Sequence, residues 1–486
     1  MEHVGEGYMS IENLIGREEE CKRLVECLSE NKAQLVVIYG RRRIGKTYLI
    51  EEFFDGEFAF RMTGEYEASR TMQLRNFANE LSLQTNTLGG VPKDWKEAFW
   101  ELRKYLSELP SERKQVVFFD ELPWMDTPNS HFLAEFEYFW NSWGSRRKNL
   151  VLIVCGSAAS WLIDHIENNK GGLFNRLTCR IFLKPFNLYQ TEKYLISKNI
   201  NWLRREICEC YMIMGGIPYY LSLLRHELSY TENIDHIFFR KRAELWDEFR
   251  HLYQTLFSNS ESYVKIVEAL SAKKMGLTRS EISDATGLPK NGVLTKMLNN
   301  LENSGFIRIS SFYGKKKKDT LYQLADYYSL FYFRFIKDGA IMDERYWSNS
   351  INLPSHYPWS GFSFELLCMD HIRQIKKKLE IGGVLSEQSI WYQRGDNNNK
   401  GAQIDLLIDR ADRVINVCEM KFSNETFTID KDYDADLRYK ISAFRNTTGT
   451  KSNLMLTMIT SYGVKKNIYS GIVQREILMD DLFLPA

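Results

Sequence analysis

The run Gly40-Arg41-Arg42-Arg43-Ile44-Gly45-Lys46-Thr47 sets two glycines, a lysine and a hydroxyl at the spacing G-x-x-x-x-G-K-T. Glycines at those points let backbone N–H groups turn toward one centre. Lys46 adds positive charge there and Thr47 can ligate Mg²⁺, a set suited to nucleotide phosphates. The apolar run Gln34–Tyr39 ahead of it reads as a strand. Tyr48–Phe54 behind it reads as a helix, whose positive N-terminal end faces the same phosphates. A second apolar run, Gln115–Phe119, ends in Asp120-Glu121. Asp120 would hold Mg²⁺ through water, and Glu121 would orient and polarise the attacking water. A third run, Leu150–Cys155, ends in Gly156-Ser157, and Ser157 is either the sensor of a γ-phosphate or part of a plain turn. Arg176 is either an arginine finger or a surface arginine. The cofactors expected from these residues are ATP and Mg²⁺, with Thr47 and Asp120 as metal ligands.

A second set of charges lies near the C-terminus. Gln403–Ile408 and Val414–Phe422 read as two strands of a hairpin turning near Arg410 to Arg413. Side chains alternate along a strand, so Glu419 and Lys421 share a face, and the turn places Asp405 about opposite Glu419. Burying three charges among Ile, Leu and Val is costly without a purpose. Two carboxylates and a lysine suit binding of Mg²⁺ by Asp405 and Glu419 and activation of water against a phosphodiester. Lys421 would position that water or stabilise the developing phosphorane charge.

Between these sets the pattern changes to short helices. Tyr263–Leu270 is amphipathic, Thr278 with Glu281 forms a capping box, and Val293–Leu301 supplies a third helix. Two strands, Gly305–Ile309 and Thr320–Leu324, flank the turn from Gly314 to Asp319. That order is the order of a winged helix-turn-helix. Lys290, Asn291, Thr295 and Lys296 on its third helix could reach bases or phosphates. Lys315, Lys316, Lys317 and Lys318 would form a basic wing tip. A winged helix can equally serve as an internal packing module, and its charged tip as a solvated loop. The aromatic run Tyr327–Phe335 reads as packed helix.

At 486 residues the chain exceeds one hydrophobic core, and its formal net charge of +1 confines any basic surface to a local patch. Met1–Ser10 has no signal-peptide pattern, and no apolar run approaches the length of a membrane span, so a cytoplasmic protein without a membrane partner is expected. Eight scattered cysteines, with Cys208 and Cys210 too close for zinc-ligand spacing, are expected to be buried reduced thiols. No H-E-x-x-H, G-x-S-x-G or protein-kinase signature occurs.

The box Ile15-Gly16-Arg17-Glu18, the P-loop, Leu183-Lys-Pro-Phe186 and Met214-Gly-Gly-Ile-Pro218-Tyr-Tyr together resemble the archaeal-type ATPase family, within the STAND branch of AAA-like ATPases. The resemblance covers about residues 10–250. It implies that Gly16, Arg17 and Glu18 lie near the adenine and that Gly215 to Pro218 sit in a helical lid. Asp, a turn, then Glu-x-Lys resembles the PD-(D/E)xK nuclease core, and residues 345–486 resemble the DUF234-type domain often attached to that family. By that resemblance Glu365 is a fourth acidic member of the catalytic set.

The expected architecture is multidomain α/β. It comprises a P-loop AAA-like ATPase core (1–185), a helical lid (186–257), a winged helix-turn-helix (258–340) and a C-terminal α/β restriction-endonuclease-like domain (345–486). The expected function is an ATPase that couples nucleotide state to DNA binding and Mg²⁺-dependent phosphodiester cleavage. The alternative is a nucleotide-gated DNA-binding or protein-scaffold ATPase whose nuclease-like domain does not cut. A third reading is a signalling ATPase that assembles into a homo-oligomer with ATP.

Overall fold

The computed structural model describes residues 14–485 apart from 88, 169–170, 174, 315–319, 338–342, 352 and 396–399. The chain divides into two compact units, Met1–Pro185 and Phe186–Ala486. The basic run from Lys315 to Lys318 lies outside the described residues.

The first unit is built on five strands: β1 (Gln34–Tyr39), β2 (Phe60–Thr63), β3 (Gln115–Asp120), β4 (Leu150–Gly156) and β5 (Cys179–Phe182). All neighbours are parallel, in the order β2-β3-β4-β1-β5. β3 and β4 are buried along their whole length, as continuous apolar runs in a parallel sheet should be. Helices α1 (Glu18–Ser29) and α2 (Lys46–Phe53) cover one face with Leu24, Leu28, Leu49, Ile50 and Phe53. Helices α3 (Arg70–Thr85), α4 (Trp95–Glu108) and α5 (Phe132–Ser142) cover the other with an aromatic core that includes Phe77, Trp95, Phe99, Phe132 and Phe136. Sequence periodicity marks β1, β3 and β4. It misses β2 and β5, which have four residues each and expose every second one.

In the second unit, α6 (Leu188–Ser197) and α7 (Arg204–Met214) lead to a break at Gly215-Gly216. The break needs glycine, because Gly215 has a φ of 64° and a Cβ on Gly216 would meet the Phe186 carbonyl at 1.8 Å. Three helices follow, α8 (Ser260–Ser271), α9 (Arg279–Thr286) and α10 (Gly292–Asn303). They pack with a small antiparallel sheet of β6 (Leu277–Thr278), β7 (Ile307–Ser310) and β8 (Leu321–Leu324), in the order β6-β8-β7. Thr278 and Glu281 cap α9 reciprocally, as their spacing predicts. Asn291 spends its side-chain oxygen on capping α10, accepting from the amides of Val293 and Leu294, so that oxygen does not project outward as expected.

The chain then forms α11 (Tyr357–Asp370) and a five-stranded sheet. Its strands are β9 (Ser386–Gln393), β10 (Ala402–Arg410), β11 (Val414–Lys421), β12 (Asn453–Thr460) and β13 (Arg475–Leu478), in the order β13-β12-β11-β10-β9. β9, β10 and β11 are antiparallel, and β12 and β13 continue in parallel. Helix α12 (Lys431–Thr448) covers the face opposite α11. One apolar core runs from α6 through α10 to α11 and β11. The segment after β7 joins the large sheet through Tyr313 N–H to Ile390 O (2.9 Å) and Ile390 N–H to Ser311 O (3.0 Å). All eight cysteines are free and buried. No described helix is long and apolar enough to cross a membrane.

His371, fully buried, accepts from the Leu188 amide at Nε2 (2.8 Å) and lies 2.7 Å from the Leu367 carbonyl at Nδ1. Burial holds its pKa below the usual 6.5. A group that resists protonation when folded stabilises the fold above its unfolded pKa, and that contribution is lost as pH falls from 6.5 through the folded value. The melting temperature of the second unit should therefore drop on acidification below pH 6.5. His371→Gln, followed by calorimetry from pH 5 to 8, should be less stable at pH 8 and show a shallower acid loss.

Candidate functional site

Parallel pairing brings the C-terminal ends of β1, β3 and β4 to one edge, with Tyr39 opposite Gly156 and Phe119 opposite Val154. At Gly40 the chain leaves β1, and a Cβ there would lie 2.4 Å from the Leu183 carbonyl oxygen. Gly45, with φ at 87°, delivers the chain into α2, so Lys46 and Thr47 are the helix's first residues. The buried Lys46 ammonium donates to the carbonyls of Gly40 (3.1 Å) and Arg41 (3.0 Å), which holds its charge inside the curve of the loop. Arg41 is buried, Ile44 is fully buried, and Arg42 and Arg43 are half-buried.

Arg17 braces the loop from outside. Its buried guanidinium donates to the carbonyls of Ile44 (3.0 Å) and Lys184 (2.9 Å), and burial lowers its pKa to about 10. These contacts give Arg17 a structural hold on the loop backbone. Gly16, at φ 71°, makes the turn into that position ahead of Glu18, the first residue of α1.

The Thr47 hydroxyl donates to Asp120 Oδ2 at 2.7 Å, and Asp120 Oδ1 accepts from the Glu121 amide at 2.9 Å. One hydroxyl and one buried carboxylate at this distance form an oxygen pair fit for a small hard cation. Glu121 is left-handed, with φ at 45°, and its carboxylate turns to Ser157. The Ser157 amide donates to Oε2 (3.0 Å) and its hydroxyl to Oε1 (2.6 Å). Gly64 makes room for this turn, since a Cβ there would meet the Glu121 carbonyl at 2.5 Å. Ser157 therefore orients the water-activating glutamate, a partnership the sequence reading did not assign. Arg176 stands exposed in the turn before β5.

The second set gathers where α11, β10 and β11 meet. The Leu406–Cys418 pairing, continued one step, sets Asp405 beside Glu419. Both Glu419 oxygens are engaged: Oε1 by the Tyr433 hydroxyl (2.5 Å) and Lys421 (3.3 Å), Oε2 by Lys440 (2.9 Å). Burial alone would raise the Glu419 carboxyl, but Lys440, Lys421 and Tyr433 hold it below the usual value. Glu365, buried on α11, is pushed up to about 8 by burial and then by Asp405, against the pull of Lys274. The Lys274 ammonium lies 2.6 Å from Glu365 and 3.6 Å from Asp405. Gln403 also donates to Asp405. Among the described residues no three His, Cys, Asp or Glu side chains form a group able to hold a metal ion. The sequence reading missed Lys274, Tyr433 and Lys440. The latter two fall seven residues apart on α12, two helical turns, and so on one face.

Residues 14–224 match the ATPase domain family found predominantly in Archaea. This chain is an ATPase with an archaeal-type domain. An uncharacterised Methanocaldococcus jannaschii protein is 28% identical over 397 residues, covering 81% of this chain and 83% of its own. A short ATP-binding protein of the same organism, also uncharacterised, is 46% identical over 43 residues, 9% of this chain and 73% of its own. Among solved structures, a Walker-type ATPase of Pyrococcus abyssi has a TM-score of 0.48 at 21% identity, over 68% of this chain and 99% of its own. The Aeropyrum pernix ORC2 protein, in ADPNP–ADP complexes, has a TM-score of 0.39 at 14% identity, over 65% and 92%.

Two substitutions separate the parts of the ATPase site. Lys46→Ala should abolish binding of a fluorescent ATP analogue. Glu121→Gln should keep binding while phosphate release falls by about 10²–10⁴-fold, the contribution of a positioned general base.

Proposed function

We propose that this ATPase couples its nucleotide state to DNA binding and to Mg²⁺-dependent cleavage of a phosphodiester by its second unit. The observation that carries the reading is the convergence of Glu365, Asp405 and Glu419, with Lys421 3.3 Å from Glu419. Oxygen donors that share a cation of the chain itself are chemically suited to a hard divalent ion. Mg²⁺ on Asp405 and Glu419 would supply Lewis acidity and an activated water. Lys421 would place its positive charge beside the phosphoryl oxygens as charge develops there, and Glu365 would complete the acidic wall. Mg²⁺ in the first unit would be held by Thr47 and Asp120.

The helices α8 to α10 with the β7–β8 hairpin support a winged helix-turn-helix as the DNA-presenting part. Lys296 is exposed on α10, and Lys290 pairs with Asp284 at 3.0 Å, a link that a phosphate could replace. A second reading, a DNA-binding or scaffold ATPase that does not cut, is favoured by the engagement of both Glu419 oxygens with the chain's own groups.

The reading is tested with supercoiled plasmid, Mg²⁺ and ATP. Nicking should be lost in Glu419→Ala and Lys421→Ala while ATP hydrolysis persists, and should also be lost in Lys46→Ala if the nucleotide controls the cut. Nicking that survives Lys421→Ala overturns cleavage at this set. Salt-dependent duplex binding without nicking in any sample moves the conclusion to the second reading.

A further inference from the structure

Lys274 is the one member of the second site that comes from outside the 345–486 segment. It sits in the turn between α8 and β6, and that turn is held firmly. The Gly276 amide donates to the Lys273 carbonyl at 2.8 Å. Gly276 has φ at 85°, and a Cβ there would meet the Tyr322 carbonyl at 2.2 Å. The buried Gln323 on β8 donates its amide to the Lys274 carbonyl at 2.7 Å. With its backbone pinned to the small sheet, the side chain reaches across to α11 and β10. There its ammonium meets Glu365 at 2.6 Å and Asp405 at 3.6 Å.

We propose that Lys274 is a built-in cation that occupies the divalent-ion position of the second unit and keeps it closed until the α8–β6 turn withdraws. The inference rests on reading Glu365, Asp405 and Glu419 as a divalent-cation site. The ammonium brings one positive charge to two carboxylates, so a dication that displaces it neutralises the set more completely. The Lys274 side chain is 46% exposed, so water reaches it and the pair can open without burying the released ammonium elsewhere. A lysine in the same place as a permanent part of the fold would resist exchange with metal. A lysine acting as a gate yields to it.

The test uses the full chain carrying Asp120→Ala, which removes the first unit's cation donor, and reads Mn²⁺ binding by the loss of the free-ion EPR signal. Lys274→Met should tighten Mn²⁺ binding about 10-fold or more, as removal of a competing close charge pair would. Lys274→Arg should stay near the parent, and Asp405→Asn added to Lys274→Met should erase the gain. Thermal melts accompany each variant, and Lys274→Gln replaces Lys274→Met if the latter does not fold. Unchanged Mn²⁺ affinity in Lys274→Met, with binding still lost in Asp405→Asn, overturns the gate and leaves the metal site standing. Tightened Mn²⁺ binding with plasmid left intact supports the gate and removes the cleavage reading. No Mn²⁺ bound by any variant overturns both.

Discussion

A carboxylate at the end of a buried strand must find hydrogen-bond donors or a cation, because removing it from water unpaired costs several kilocalories per mole. In the first unit donors meet that demand. Asp120 takes the Thr47 hydroxyl and the Glu121 amide, and Glu121 takes the amide and hydroxyl of Ser157. All of these donors lie at the ends of neighbouring parallel strands or at the start of α2, so the sheet's register places them. The packing glycines follow from the same demand, since Gly40, Gly64 and Gly156 stand where a Cβ would meet the backbone or ring atoms that close the site.

The second unit meets the demand with cations. Glu419 is held by Lys421 and Lys440, and Glu365 and Asp405 share Lys274. Cations on flexible stems are exchangeable in a way that a backbone amide is not. The two sites thus differ in kind. One is an array of fixed donors around a loop, suited to repeated binding and release of one ligand. The other is a balanced set of charges, in which the loss or gain of one cation changes what the remaining carboxylates can bind.

Sequence signals were strong where the chain repeats a pattern over consecutive residues. β1, β3 and β4 are unbroken apolar runs, and Thr278 with Glu281 is a capping pair whose two hydrogen bonds need only local geometry. The hairpin of β10 and β11 was legible because its turn is short, and the arithmetic of a short turn sets Asp405 beside Glu419. Signals failed where burial is partial. Helix α12 buries only Leu437 and Phe444 among its 18 residues, too thin an apolar stripe to announce a helix. β13 has four residues and buries one of them, and β2 and β5 expose alternate positions.

By itself the sequence determined the phosphate loop, the acidic strand end and the Asp405–Glu419–Lys421 set, because each depends on residues within one turn or hairpin and on period-two or helical spacing. Only the tertiary structure decided which groups neutralise those acids. Ser157 reaches Glu121 because β3 and β4 are parallel neighbours. Arg17 reaches the loop because α1 packs against the same sheet. Lys274 reaches Glu365 and Asp405 because one core joins α8, β8 and α11. Electrostatic partners are chosen by distance in space, and in a folded chain that distance carries no trace of the number of residues between them.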